Sequence, residues 1–122
     1  VTVTVPPNNT TAFNVTLGGL TATTAGQGGN DCSAALENYL PLTHSSGDPS
    51  VPDFNVHAWT LAAGTGATAV STFTANAATV TPAFAGDQAT FFLGGTIRTE
   101  CTAGSYQEIG TYTGNLTISV GY

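Results

Sequence analysis

The sequence contains no lysine and no methionine, and Arg98 is its only formal cation. Without lysine an intramolecular Lys–Asn isopeptide bond is chemically impossible, and trypsin has a single place to cut. Seven carboxylates (Asp31, Glu37, Asp48, Asp53, Asp87, Glu100 and Glu108) set the net charge at −6. Such a surface repels phosphate backbones and anionic headgroups, which argues against nucleic-acid binding and electrostatic membrane docking. Charged residues make up 7% of the chain, where an ordinary domain carries roughly a quarter. Helix formers are scarce, since Glu, Gln and Arg are rare as well. No apolar run approaches the roughly 20 residues of a membrane span, so no membrane insertion is expected. A chain that opens at Val1, with neither an initiator Met nor an apolar leader, reads as the processed form of a secreted, extracellular protein.

What remains is a chain of 122 residues, 41% apolar, the right size for one core. Its polarity comes from Thr, Ser, Asn and Gly. Threonine is β-branched and suits the half-buried surface of a pleated strand. The two cysteines, Cys32 and Cys101, suit one disulfide in a secreted context. It would close a loop of about 70 residues and contribute roughly 4 kcal/mol on the chain-entropy argument. Two buried free thiols are the alternative. Neither cysteine has a partner at metal-ligand spacing.

The hydrophobic pattern has period two over most of the chain. From Thr111 to Tyr122 the alternation is nearly unbroken. Tyr112, Leu116, Ile118, Val120 and Tyr122 share one face of an expected strand, and Thr111, Thr113, Asn115, Thr117 and Ser119 share the other. Val1 to Val5 alternates until Pro6-Pro7-Asn8-Asn9 interrupts it, and Phe13, Val15 and Leu17 then share a face. A Gly- and Thr-rich stretch from Gly18 to Asn30 reads as a loop or linker. Ser33 to Leu40 fits a short helix capped by Asp31 as well as it fits a strand. Pro41 to Pro52 reads as a polar loop. Phe54–Ala62, Ala67–Phe73 and Ala77–Thr81 read as strands. Ala89–Cys101 reads as a longer one, interrupted by a bulge at Gly94-Gly95. Strands at this spacing argue for an antiparallel sandwich.

Candidate chemistry is thin. His44 and His57 with Asp48 or Asp53 could be drawn as a metal site or part of a triad, but no strained nucleophile turn is present. Solvated loop side chains are by far the better account of them. Glu100 and Glu108 do not announce a paired-acid cleft. The glycine pairs lack phosphate-binding spacing. No enzyme activity and no cofactor are expected. Trp59 with Phe54 could offer a sugar-stacking platform, although a lone Trp in an alternating strand more often belongs to a core. Asn8, Asn9, Asn14 and Asn115 each begin an Asn-x-Thr sequon, a candidate glycosylation position if exposed.

A sandwich with strong strands at both ends has an edge to manage. An N-terminal strand on a Pro-rich hinge could fill that edge in a neighbouring copy, giving head-to-tail, non-closing contacts that build fibres. Alternatively, residues 1–17 fold back into their own sandwich. The run Phe92-Leu93-Gly94-Gly95-Thr96-Ile97, followed by Ile109 to Tyr122 with its Gly-Thr-Tyr-Thr-Gly turn, resembles the C-terminal part of archaic chaperone–usher pilus subunits and spore-coat-protein-U-like pilin domains. The resemblance covers about the last third of the chain. It implies an incomplete immunoglobulin-like antiparallel β-sandwich, completed by a donor strand from a neighbour. It also implies a homopolymeric pilus for adhesion or biofilm, with an assembly chaperone and an outer-membrane usher as partners. On that reading residues 1–17 are the donor segment, with Val1, Val3, Val5, Phe13, Val15 and Leu17 as donor side chains. Residues 18–31 are a linker and 32–122 the pilin domain, with Tyr112, Leu116, Ile118, Val120 and Tyr122 along the receiving groove. A monomeric carbohydrate-binding or adhesin module, and a viral or S-layer shell component, are the rival classes.

Overall fold

The computed structural model describes residues 1–21, 38–63, 71–74, 76–99 and 107–122. All regular structure among these is β, and the ladders with a known register are antiparallel. No helix among the described residues is long and apolar enough to cross a membrane. Among the described residues eleven strands follow in order: β1 (Thr2–Thr4), β2 (Phe13–Gly18), β3 (Leu40–His44), β4 (Phe54–Ala62), β5 (Ser71–Thr72), β6 (Ala77–Val80), β7 (Ala83–Ala85), β8 (Gln88–Thr90), β9 (Phe92–Thr99), β10 (Tyr112–Thr113) and β11 (Thr117–Gly121). They belong to two compact units, each drawn from separate stretches of chain.

The first unit comprises Val1–Gly18, Ala58–Gly95 and Ile118–Tyr122. One of its sheets has the order β1-β8-β7 and another the order β11-β2-β6. Strand β2 exists because its apolar residues alternate: Phe13, Val15 and Leu17 point inward, while Asn14 and Thr16 point out. It runs antiparallel to β6, with Phe13 opposite Val80 and Val15 opposite Ala78. Strands β7 and β8 form a tight hairpin in which Ala85 faces Gln88. The loop between them is Gly86-Asp87, and Gly86 takes the positive φ such a turn demands (63°).

Both sheets supply one apolar cluster. Val5, Ala89 and the half-buried Phe84 come from the first sheet and its flank; Phe13, Val15, Val80, Ile118 and Val120 come from the second. Phe13 and Phe84 meet edge to face with centroids 6.1 Å apart, a favoured geometry for aromatic pairs. Two sheets sharing an apolar interior are consistent with a β-sandwich.

The second unit comprises Gly19–His57 and Thr96–Thr117. Here β3 lies between β10 and the start of β4, with Tyr112 opposite His44 on one side and Leu40 opposite Val56 on the other. Residues 41–44, expected as loop, are therefore strand. The β10 ladder stops at Thr43, two residues short of Pro41, which has no N–H to offer a neighbour. Tyr39 and Leu40 are buried, and an isolated bridge joins Thr21 to Tyr39.

Two other expectations are corrected. The run from Thr111 to Tyr122 is not one strand: it divides into β10 and β11, separated by Gly114, Asn115 and Leu116. A Cβ on Gly114 would lie 2.6 Å from the Pro41 carbonyl oxygen, so glycine permits a backbone approach that no other residue allows. The expected interruption at Gly94-Gly95 is absent, and β9 runs through both glycines. The break falls at Phe91, and Gly94 serves instead to admit Thr60 Oγ1, which a Cβ would meet at 2.9 Å.

Candidate assembly surface

Strand β1 lies at the edge of its sheet, paired to β8 of its own chain. Thr2 faces Thr90, Val3 faces Ala89 and Thr4 faces Gln88. Val1 N donates to Phe91 O (2.8 Å) and Phe91 N donates to Val1 O (3.0 Å), while Val5 N donates to Asp87 O (2.8 Å). Val5 is buried, Val3 is half-buried and packs on the cluster, and Val1 is exposed. The segment after β1 turns at once. Asn9 N donates to Pro6 O (3.2 Å), with Pro7 and Asn8 between them and Asn8 at φ 65°. Pro then Asn with positive φ are the central residues a type II turn favours.

Attachment of this edge sets backbone entropy against a few buried contacts. Ordering a residue costs about 1–2 kcal/mol of backbone entropy. Burying Val5 contributes about 1.5–3 kcal/mol, and each ladder bond a net of about 0.5–1.5 kcal/mol. Strand β2 differs, because Phe13 and Val15 are wholly buried and Leu17 nearly so. The six residues expected to be donor side chains thus divide within the chain: Val1, Val3 and Val5 on a peripheral strand, and Phe13, Val15 and Leu17 on the middle strand of a sheet.

The residues expected along one receiving groove do not share one strand. Tyr112 and Leu116 fall in the second unit, and Ile118, Val120 and Tyr122 in the first. Ile118 and Val120 pack on the core cluster. Tyr122 is 62% exposed, although its ring lies 5.4 Å from that of Phe13. The strand beside which β1 sits is β8, whose Ala89 and Thr90 were expected to begin one long strand running to Cys101; the structure separates β8 from β9 at Phe91. The Gly86-Asp87 hairpin pair was the signal that could have found it.

Tyr112 has a different place. Its hydroxyl donates to Glu108 O (3.0 Å) and accepts from Glu108 N–H (3.1 Å). A tyrosine at a strand's start, bonded back to the backbone four residues upstream, ties that loop to the strand. The ring packs between Phe54 (4.6 Å) and His44 (4.9 Å). His44 Nδ1 pairs with Ser46 Oγ (2.7 Å), while its buried Nε2 faces Gly110 without a hydrogen-bond partner.

No group of three or more His, Cys, Asp or Glu able to hold a metal occurs among the described residues. Asp48 Oδ1 accepts from both Ser50 N–H (2.8 Å) and Ser50 Oγ (2.7 Å), bonds that lower its pKa. Burial lowers the pKa of His57, assisted by the Arg98 charge. Trp59 is only 8% exposed, so its ring offers no face to a sugar. Asn8, Asn14 and Asn115 are exposed and Asn9 is half-buried. Cys32, Cys101 and Glu100 lie outside the described residues, as do the linker positions 22–31 and the option of a helix after Asp31. Comparison with known protein families, curated proteins and solved structures found no match to this chain.

Proposed function

We propose that the chain is a structural subunit of an extracellular filament, in which identical copies join head to tail by exchanging the β1 segment. The single observation that carries this reading is the uncharged Val1–Val5 strand. It plugs the edge of its own sandwich through Val5 and Val3, and is followed by a turn at Pro6–Asn9. A copy's β1 can occupy the same slot beside β8 of a neighbour with every bond reproduced, so exchange costs no contacts. Burial of Phe13, Val15 and Leu17 favours limiting the donated part to residues 1–5, with β2 kept at home. The receiving slot is then the one beside β8. The resemblance of Phe92–Ile97 and Ile109–Tyr122 to pilin domains points the same way, toward an immunoglobulin-like subunit and an assembly chaperone and usher as further partners.

A disulfide trap tests this. Val1 and Phe91 exchange both backbone bonds, which makes Thr2/Thr90 a non-hydrogen-bonded pair with Cα atoms about 4.5 Å apart, in reach of a disulfide. In T2C/T90C a self-paired chain closes within one molecule and runs as a monomer on a non-reducing gel. Exchanged copies give a covalent ladder absent from the unmodified chain, and electron microscopy of the same sample shows threads. Monomer alone at every concentration, with or without the resemblance-implied assembly partners, overturns the reading in favour of a monomeric binding module. Sheets or closed shells favour a shell component.

A further inference from the structure

Four Asn-x-Thr sequons begin at Asn8, Asn9, Asn14 and Asn115; the fold treats them differently. An oligosaccharide can be attached only where the amide nitrogen is reachable and the tripeptide can leave the surface to enter a transferase. We propose that Asn8 and Asn115 are the N-glycosylation positions of the folded chain, and that Asn9 and Asn14 are closed to modification. The donor class is an oligosaccharide on a lipid pyrophosphate. Its anomeric carbon forms a bond to Asn Nδ2, the bond from that carbon to the pyrophosphate oxygen breaks, and the amide proton leaves with the released lipid pyrophosphate. This proposal is independent of filament assembly.

Asn8 sits at the third position of the Pro6–Asn9 turn, exposed, with Thr10 also exposed. Asn115 lies in the three-residue break between β10 and β11, exposed, with Thr117 exposed beside it. Neither side chain makes a hydrogen bond to another described residue. At Asn115 the backbone is packed instead: its carbonyl oxygen would lie 2.6 Å from a Cβ on Gly19. That approach involves one carbonyl and not the side-chain amide, and of the three sequon residues only Thr117 lies in a strand.

Asn9 fails on access. Its Oδ1 accepts the Thr11 N–H (3.0 Å), which fixes the orientation of the amide. That orientation leaves Nδ2 buried and without a hydrogen-bond partner. Asn14 fails on mobility. Its Oδ1 accepts from Thr79 Oγ1 (3.1 Å) across the ladder. The central residue of its sequon is Val15, fully buried on the middle strand of the β11-β2-β6 sheet. Lifting Asn14-Val15-Thr16 into a transferase therefore means opening the sandwich.

The test uses the purified folded chain, a single-subunit oligosaccharyltransferase that accepts Asn-x-Ser/Thr, and a lipid-pyrophosphate oligosaccharide. Initial rates at each asparagine are read by glycopeptide mass spectrometry, with N8Q and N9Q separating the overlapping pair. On the folded chain, Asn8 and Asn115 are modified at least about tenfold faster than Asn9 and Asn14, because the latter require local opening. On the urea-unfolded chain, diluted into the reaction as a reduced, alkylated polypeptide, that difference collapses. The proposal is overturned if Asn14 or Asn9 keeps pace with Asn8 in the folded chain, or if Asn115 stays unmodified there. It is also overturned if the unfolded chain shows the same ranking, which would assign the preference to local sequence.

Discussion

Replacing Tyr112 by phenylalanine removes one oxygen atom and leaves the ring in place against Phe54 and His44. The lost atom makes two hydrogen bonds, both to the backbone of Glu108. Intramolecular hydrogen bonds contribute a net of about 0.5–1.5 kcal/mol each. Glu108 is exposed and Tyr112 half-buried, so water takes over part of the loss. The expected cost is about 1–2 kcal/mol. For 122 residues the unfolding entropy is about 0.26 kcal/mol/K, so the melting temperature should fall by about 4–8 °C. Thermal unfolding followed by far-ultraviolet circular dichroism, with urea midpoints as a second measure, reads this directly. Tyr122→Phe is the control, because its exposed hydroxyl makes no bond to a described residue, and its melting temperature should not move. A shift below about 1 °C for Tyr112→Phe, or equal shifts for the two variants, would refute the assignment of a hydroxyl that ties the loop at Glu108 to β10.

Phe13→Ala empties the centre of the first unit's cluster and should cost about 3–5 kcal/mol, visible as a large fall in the urea midpoint. Gly114→Ala forces a Cβ against the Pro41 carbonyl and should cost about 1–3 kcal/mol. Gly121→Ala, with nothing within 4 Å of its new methyl, should be close to neutral in the same assay. His57 should titrate below 6.5 by NMR. Because the folded state disfavours its protonation, it adds stability at neutral pH that is lost as pH falls from about 6.5 through the folded-state value. Arg98→Gln should move the His57 midpoint part of the way back up.

Where one residue's surroundings are local, the sequence was readable. Phe54–Ala62 stands in the structure with the expected bounds, and the inward set Phe13, Val15 and Leu17 is buried as its alternation required. Burial of Trp59 likewise follows from its place in that alternating run. Two of the misread places depend on distant chain. Nothing within Thr111–Tyr122 reveals that Gly114 must press on Pro41, a contact more than 70 residues away, so one strand was expected where two stand. Pro41 itself disguised β3, since proline is rare inside paired strands; here the β4 ladder runs through it, and only the β10 ladder ends before it. The candidate surface was half legible. The edge character of Val1–Val5 and its Pro hinge are written in the residues, but its partner β8 is three residues long and carries one buried side chain. Tyr112 looked like any inward aromatic, because the role of its hydroxyl is set by a turn and not by a period.

The β7–β8 hairpin has an arithmetic consequence. With β1 gone, Gln88-Ala89-Thr90 is left with bonding groups facing nothing along one side, and a cavity stands where Val5 had been. Every strand that departs creates one vacancy, so in any population strands and vacancies are equal in number. A ring can satisfy all of them. An open row of copies cannot: it carries one unfilled slot at one extremity and one loose strand at the other, however long it grows. Those two ends are chemically distinct, which gives such a row a direction and two different growth rates.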